Sequence, residues 1–125
     1  MQQADGEFSL VVEAKVIHTY PLGGFDEQDI AVYRDEIIQA GEGLDKWVLF
    51  EHPKKIGSLT PEALELLTQA YNEFAGSGCV AIAVEVSYLF GTILRQNAQP
   101  LVKLPMLISD DPAELKEQID TYLSE

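Results

Sequence analysis

The sequence predicts an α/β fold in which a mixed, mostly parallel five-stranded sheet packs against about four helices. Short apolar runs of strand length alternate along the chain with segments in which apolar residues recur at helical spacing. Two strand-like runs follow each other at the start of the chain, which indicates an antiparallel hairpin. The later strands are separated by helices, which indicates parallel neighbours.

Length and composition predict a single domain over residues 1–125. The chain is 46% hydrophobic, as expected of a folded protein, and its length is that of one ordinary domain. The formal net charge is −13, with 8 Lys and Arg against 21 Asp and Glu. Nucleic acid and anionic membrane surfaces are therefore poor partners, because both repel an acidic protein.

The N-terminal hairpin is predicted from two β-branched and aromatic runs at residues 8–14 and 16–20. A Pro-Leu-Gly-Gly segment at residues 21–24 is expected to end the second strand. The first helix begins at Asp26, and a Gly-Glu-Gly segment at residues 41–43 ends it. The apolar stripe of this helix comprises Ile30, Tyr33 and Ile37.

The central strand is predicted at residues 46–51, where W-V-L-F is the kind of continuous apolar run that is covered on both faces. A polar loop follows it. Thr60 and Pro61 then start the second helix, with Thr as the N-cap and Pro in the first position. The apolar stripe of this helix comprises Leu64, Leu67, Tyr71 and Phe74.

The rest of the chain continues the alternation of strands and helices. Residues 79–86 are predicted as a second buried strand and residues 87–98 as the third helix. Residues 102–109 are predicted as a strand in which Pro105 favours an edge position or a bulge. The Asp-Pro pair at residues 111–112 starts the last helix. No apolar run approaches the roughly 20 residues that a transmembrane span requires.

This order of elements resembles the SpoIIAA-like or STAS family, small domains related to sulphate transporter and anti-sigma factor antagonist domains. The resemblance extends from about Phe8 to Leu123. It rests on W-V-L-F followed by S-L-T-P-E-A-L at a helix start, and on the closing segment L-P-M-L-I-S-D-D-P-A-E-L. It implies a STAS-like fold and a non-catalytic module that docks to protein partners or holds a small apolar ligand.

The resemblance also draws attention to the hydroxyl groups before the second helix. Family members commonly carry D-S-S-G there, and the first serine is phosphorylated in anti-sigma factor antagonists. Here Leu59 falls on that serine, so a phospho-switch is a question only for the adjacent Ser58 and Thr60. A phosphate is favoured at a helix N-terminus, but a simple N-cap at Thr60 is the plainer interpretation.

The histidines are the other candidates for chemistry. His52 ends the central strand, and ligands of open α/β sheets bind at the carboxyl ends of parallel strands. Its neighbour Glu51 is expected on the opposite face, so the two do not form an acid–base pair, and an exposed loop histidine is the plainer interpretation. His18 is expected to face solvent. Neither metal-ligand spacing nor a cofactor motif occurs.

The third helix is apolar nearly all round its first two turns, whereas a helix on an α/β sheet normally buries one stripe. Tyr88, Leu89, Phe90 and Ile93 are therefore predicted to contact a second protomer, a protein partner or an apolar ligand. The alternatives are that a loop covers them or that the preceding strand ends two or three residues away.

Two functions follow as hypotheses. The first is a cytoplasmic regulator that docks a partner or itself, with a possible homodimer, through residues 87–96 and the loop at residues 52–60. The second is a carrier of a small apolar or lipid-like ligand beneath the same helix. An enzyme is not expected, because no nucleophile, base and orienting group can be assembled. Cys79 is the only cysteine, which fits a reducing compartment, and the polar N-terminus has no leader pattern.

Overall fold

The computed structural model describes residues 6–53 and 56–125, and it describes the backbone but not the side chains of residues 56–59. The strands are β1 (Glu7–Glu13), β2 (Val16–Phe25), β3 (Trp47–Glu51), β4 (Ile56–Leu59), β5 (Cys79–Glu85) and β6 (Met106–Ser109). The helices are α1 (Glu27–Gly41), α2 (Pro61–Ala75), α3 (Tyr88–Asn97) and α4 (Pro112–Ser124), and a 3-10 turn covers Gln99–Leu101.

Five of these strands form one mixed sheet in the order β1-β2-β3-β5-β6. The hairpin of β1 and β2 is antiparallel, whereas β2, β3, β5 and β6 run parallel to one another. The predicted fold class is therefore confirmed. The central position of β3 and the edge position of β6 are confirmed as well, and all five residues of β3 are buried.

The prediction for residues 21–24 was wrong, because β2 runs through them to Phe25. Pro21 lies opposite Phe8 of β1. On the other edge of β2, pairing with β3 reaches only Thr19, so the missing N–H of Pro21 leaves no carbonyl group of β3 without its donor. The end of β2 then pairs in parallel with β4. The segment of β4, predicted as loop, is thus a sixth, short strand.

The helices cover the two faces of the sheet unequally. α1, α2 and α3 pack on one face, to which Trp47 and Leu49 of β3 contribute. α4 packs alone on the other face against Val48 and Phe50, and it contacts β3, β5 and β6. The sheet is therefore the middle of three layers, and β3 is enclosed on both sides.

The predicted helix starts are confirmed by their caps. Asp26 and Asp29 form a capping box at α1, Thr60 accepts the backbone N–H of Ala63 at α2, and Asp111 caps α4. The strand predicted at residues 102–109 begins only at Met106, because the chain makes the 3-10 turn first. Within the described part of the chain, no helix combines the length and the apolar character that crossing a membrane requires.

Candidate functional site

A cleft with a volume of about 60 Å³ lies at the carboxyl ends of β2 and β3, beneath α3. Ligands of open α/β sheets bind at this end of the strands. Phe25 at the end of β2, Leu67 of α2 and Phe90 and Leu94 of α3 contribute to its walls, which are otherwise apolar or aromatic. One ionisable carboxyl group, that of Glu51, lies among the lining residues.

The Glu51 carboxyl is held by two tyrosines from different helices. Tyr71 of α2 donates a 2.6 Å hydrogen bond to Oε1, and Tyr33 of α1 donates a short hydrogen bond to Oε2. Since the Tyr33 hydroxyl proton points to Glu51, its oxygen accepts from Thr19, 2.7 Å away. All four side chains are buried, so they form a polar cluster inside an apolar layer.

Burial disfavours the charged form of Glu51 and raises its pKa, although the two tyrosine hydrogen bonds oppose this change. Burial and the Glu51 charge likewise raise the pKa of both tyrosine hydroxyls well above the usual value, so they stay protonated donors. The described chain has no ion pair between Glu51 and a Lys or Arg. Within the described residues, the partners of the Glu51 carboxyl are therefore the two tyrosine hydroxyls.

The predicted residues of α3 divide between two faces. Tyr88, Leu89 and Ile93 point outward, with exposed fractions of 81%, 75% and 44%. Phe90 is half-buried and lines the cleft, so it does not belong to the outward face. The helix begins within one residue of the predicted start, and the alternative of a misplaced strand boundary is wrong.

The structure places both histidines as predicted along the chain, but it corrects their predicted exposure. His52 follows the end of β3 and is not exposed: its Nδ1 lies 2.9 Å from Oε1 of Glu85, and its side chain is 15% exposed. His18 lies in β2 and is half-buried, and its Nδ1 lies 2.9 Å from Nε2 of His52. The two ring planes differ by 15° with centroids 5.2 Å apart, so the imidazoles meet edge to edge.

These histidines lie on the α4 side of the sheet, where His52 also stacks on Phe50 at 4.0 Å between centroids. Burial and the neighbouring His52 lower the pKa of His18, and Glu13 opposes this. Across residues 6–53 and 56–125, no three His, Cys, Asp or Glu side chains converge in a way that could hold a metal ion. The pair is a hydrogen-bonded contact on this face of the sheet.

Two solved structures share this architecture. An uncharacterized protein of the DUF3478 family with a SpoIIAA-like fold, from Shewanella loihica PV-4, has a TM-score of 0.64 and 10% identity, and the match covers 95% of this chain and 97% of that chain. The chain has a SpoIIAA-like fold. An anti-sigma factor antagonist from Mycobacterium paratuberculosis matches with a TM-score of 0.61 and 10% identity, over 93% and 95% of the two chains. No family model and no curated protein matches the sequence.

In this SpoIIAA-like fold Ser58 lies in β4, and Thr60 is the N-cap of α2. Thr60 is exposed, and its Oγ1 accepts the Ala63 N–H at 3.0 Å, so the plainer interpretation of an N-cap describes its structural role. The side chain of Ser58 lies outside the described residues. The Thr60 cap faces a helix N-terminus, where added negative charge is electrostatically favoured.

Cys79 offers no nucleophile. Its thiol is buried at the start of β5 and contacts the carbonyl oxygen of Ala81 at 3.2 Å. Burial raises the pKa of this thiol to about 12, so it stays protonated at neutral pH. The cysteine therefore behaves as a small core residue, as its position in an apolar run predicts.

The sequence did not predict the Glu51 cluster, although it assigned the residues of the cluster to the correct strands and helices. Tyr33 and Tyr71 belong to predicted apolar stripes, and Glu51 ends the predicted central strand. The available signal was an acidic residue at the end of a fully buried strand, together with a tyrosine on each flanking helix. A buried carboxylate needs hydrogen-bond donors, and tyrosine is an apolar residue that carries one.

Proposed function

We propose that this domain is a non-catalytic regulatory module that binds a protein partner, including a second copy of itself, through the outer face of α3. The observation that carries the proposal is the exposure of Tyr88 and Leu89, which are 81% and 75% exposed. Leu101, in the 3-10 turn that follows α3, is also exposed, by 66%. Apolar side chains clustered on a surface are typical of interaction sites.

Two further observations support a protein partner. An anti-sigma factor antagonist shares the SpoIIAA-like fold, and its name describes action on another protein. The charge of −13 favours a partner surface with a neutral or basic rim over nucleic acid. A cytoplasmic location belongs to the same proposal, since the single Cys79 is a buried thiol.

Native mass spectrometry and light scattering of Leu89→Asp test the self-association form of this proposal. We expect a wild-type dimer that Leu89→Asp converts to a folded monomer, because a buried carboxylate at the interface is unpaired. Val32→Asp is the matched control, since Val32 is 52% exposed on α1. A monomeric wild type, or a dimer that survives Leu89→Asp, would refute α3 as the self-association surface.

The second candidate function is a carrier of a small apolar ligand, and the cleft beneath α3 favours it. Its walls are apolar, and its volume of about 60 Å³ holds about two water-sized groups at roughly 30 Å³ each. A lipid-sized ligand requires α3 to move away from the sheet. Native spectra test this function: a bound adduct that Phe90→Asp removes and Leu89→Asp retains supports it, and retention in both variants contradicts it.

Phosphorylation at Ser58 or Thr60 is a regulatory extension of the first candidate. A phosphate at Thr60 replaces the cap of α2 and adds a charge of about −2 to an acidic surface. Intact-mass analysis of protein from its native cells tests it. A mass increase of one phosphate that Thr60→Ala or Ser58→Ala removes supports the switch, and unmodified protein under all growth conditions contradicts it.

A further inference from the structure

We propose that the contact between His18 and His52 is a proton-controlled clamp at the point where β2 leaves β3. The clamp is closed while the pair carries at most one positive charge, and a second charge opens it. This inference goes beyond the proposed function, because it concerns the α4 side of the sheet and needs neither the outer face of α3 nor the cleft beneath that helix.

One hydrogen bond joins the facing nitrogens of the two rings. Nδ1 of His18 lies 2.9 Å from Nε2 of His52. The ring planes differ by 15°, and the centroid separation of 5.2 Å is close to the largest that this contact between nitrogens allows. Both nitrogens therefore lie on the line between the ring centres, which is the linear geometry of an N–H···N hydrogen bond. Such a bond needs one nitrogen with a proton and one without.

Glu85 determines which nitrogen carries the proton in the neutral pair. Its Oε1 lies 2.9 Å from Nδ1 of His52, and a carboxylate only accepts hydrogen bonds, so this Nδ1 is protonated. Nε2 of neutral His52 is then an acceptor, and Nδ1 of His18 donates to it. The remaining lone pair is on Nε2 of His18. A first proton binds there and leaves both hydrogen bonds intact.

A second proton has no place in this arrangement. It has to bind Nε2 of His52, which already faces the Nδ1–H of His18. Because an N–H bond is about 1 Å long, the two protons would lie about 0.9 Å apart at the observed 2.9 Å separation of the nitrogens. The two positive charges also repel each other. The rings therefore separate when both are charged, in agreement with the pKa of His18, which burial and the neighbouring His52 lower.

The other titratable groups around the pair do not remove this conflict. Glu85 favours a charge on His52, and Glu13 favours one on His18, but neither moves the two protons off the line between the rings. Lys54 and Lys55 lie outside the described residues, and a positive charge from either would oppose the second proton as well. By element, the described groups are Glu13 of β1, Tyr20 of β2, which stacks on His52, Glu85 of β5, and Tyr122 of α4, which packs in the apolar cluster of Phe50.

The clamp lies at the last step of the ladder between β2 and β3. The backbone N–H of His52 donates to the carbonyl oxygen of Thr19 at 2.8 Å, and further along β2 pairs with β4 instead. The side chain of His52 is 15% exposed and is held by Glu85, whereas His18 is half-buried, so we expect His18 to swing outward when the rings separate. The last step then loses its side-chain contact, and the backbone hydrogen bond of His52 opens more often.

NMR titrations of the imidazole nitrogens test the proton coupling, because the chain has 2 histidines and both belong to the pair. The whole chain is titrated from pH 8 to pH 4.5 as wild type, His18→Gln and His52→Gln. We expect the second proton to bind to wild type at least tenfold more weakly than the imidazole proton binds to either variant. We also expect a scalar coupling across the N–H···N bond that disappears as this proton binds. Equal affinities, or no such coupling at pH 8, overturn the proposal.

Amide hydrogen exchange tests the effect of the clamp on the strand junction. The N–H of Val48, which donates to Lys15 at the other end of the same ladder, is the matched internal control. We expect binding of the second proton to lower the protection factor of the His52 N–H at least fivefold and to leave that of Val48 within twofold. In His18→Gln, where one imidazole remains, protection at His52 should stay within twofold over the same pH range. Equal changes at the two amides overturn the clamp, and the wild-type measurements decide the proposal if a variant fails to fold.

Discussion

The variant Tyr71→Phe tests whether the buried carboxyl of Glu51 depends on its tyrosine donors. The Tyr71 hydroxyl lies 2.6 Å from Oε1, and the residue is only 1% exposed, so this hydrogen bond is shielded from bulk water. A hydrogen bond to a charged group contributes about 1.5–3 kcal/mol. The phenyl ring keeps its packing against Phe74. We expect urea denaturation at pH 7 to show a free energy of unfolding lower by about 2 kcal/mol.

Tyr122→Phe is the matched control for this prediction. Tyr122 is half-buried on α4, on the opposite face of the sheet, and we expect its loss of a hydroxyl to change the free energy of unfolding by less than about 0.5 kcal/mol. In a Glu51→Gln background, Tyr71→Phe should lower the free energy of unfolding by only about 1 kcal/mol, because the hydrogen-bond acceptor is then neutral. Equal losses from the two tyrosine variants, or an undiminished loss in the Glu51→Gln background, would refute the reasoning.

Three further perturbations probe the cluster, the core and a cap. Burial raises the pKa of Glu51 above its ordinary value of 4.5, so the folded chain binds this proton more tightly than the unfolded chain. The stability of wild type relative to Glu51→Gln should therefore be greatest below pH 4.5 and fall as the pH rises through the folded pKa; urea titrations giving a flat difference contradict this. In Gly41→Ala the new Cβ would lie 2.6 Å from Nε1 of Trp47, so calorimetry should show a free energy of unfolding lower by about 1–3 kcal/mol. An unchanged melting temperature would argue against this close contact. Thr60→Ala leaves the Ala63 N–H uncapped, so urea denaturation should show a free energy of unfolding lower by about 1 kcal/mol. Thr60→Ser should match wild type, and equal losses in the two variants would exclude the cap as the cause.

The parts of the fold that the sequence predicts correctly are those set by local interactions. The helix starts near Asp26, Thr60 and Asp111 were predicted from side chains that accept hydrogen bonds from backbone N–H groups two or three residues further along the chain. The continuous apolar run of β3 indicates burial on both faces without knowledge of its neighbours. Such signals are complete within one segment, so no tertiary information is needed to interpret them.

The errors occur where a partner strand decides the structure. Residues 21–24 carry the composition of a turn, yet β1 pairs with Pro21 and Leu22, β4 pairs with Gly23, and both keep the chain extended. The segment of β4 has no strand pattern of its own and is extended because β2 lies beside it. Pairing between segments separated in sequence overrides local preference in both places.

The candidate site depends on the same kind of long-range information. Thr19, Tyr33, Glu51 and Tyr71 come from two strands and two helices, and their hydrogen bonds exist only after β2 and β3 pair and both helices pack on one face. Periodicity predicts that each tyrosine is buried. It does not indicate that both hydroxyls reach one carboxyl group, because that requires the relative positions of α1 and α2.

The adjacent residues Glu51 and His52 show how one strand serves two separate environments. Side chains of neighbouring strand residues point to opposite faces, as the sequence predicts for this pair. Glu51 enters the layer of α1 and α2, where Tyr33 and Tyr71 hold it, whereas His52 lies on the α4 side and contacts Glu85. Since the sheet separates them, neither can take a proton from the other. The carboxyl group is consequently held by tyrosine hydroxyls on one face, and the imidazole is hydrogen-bonded to His18 on the other.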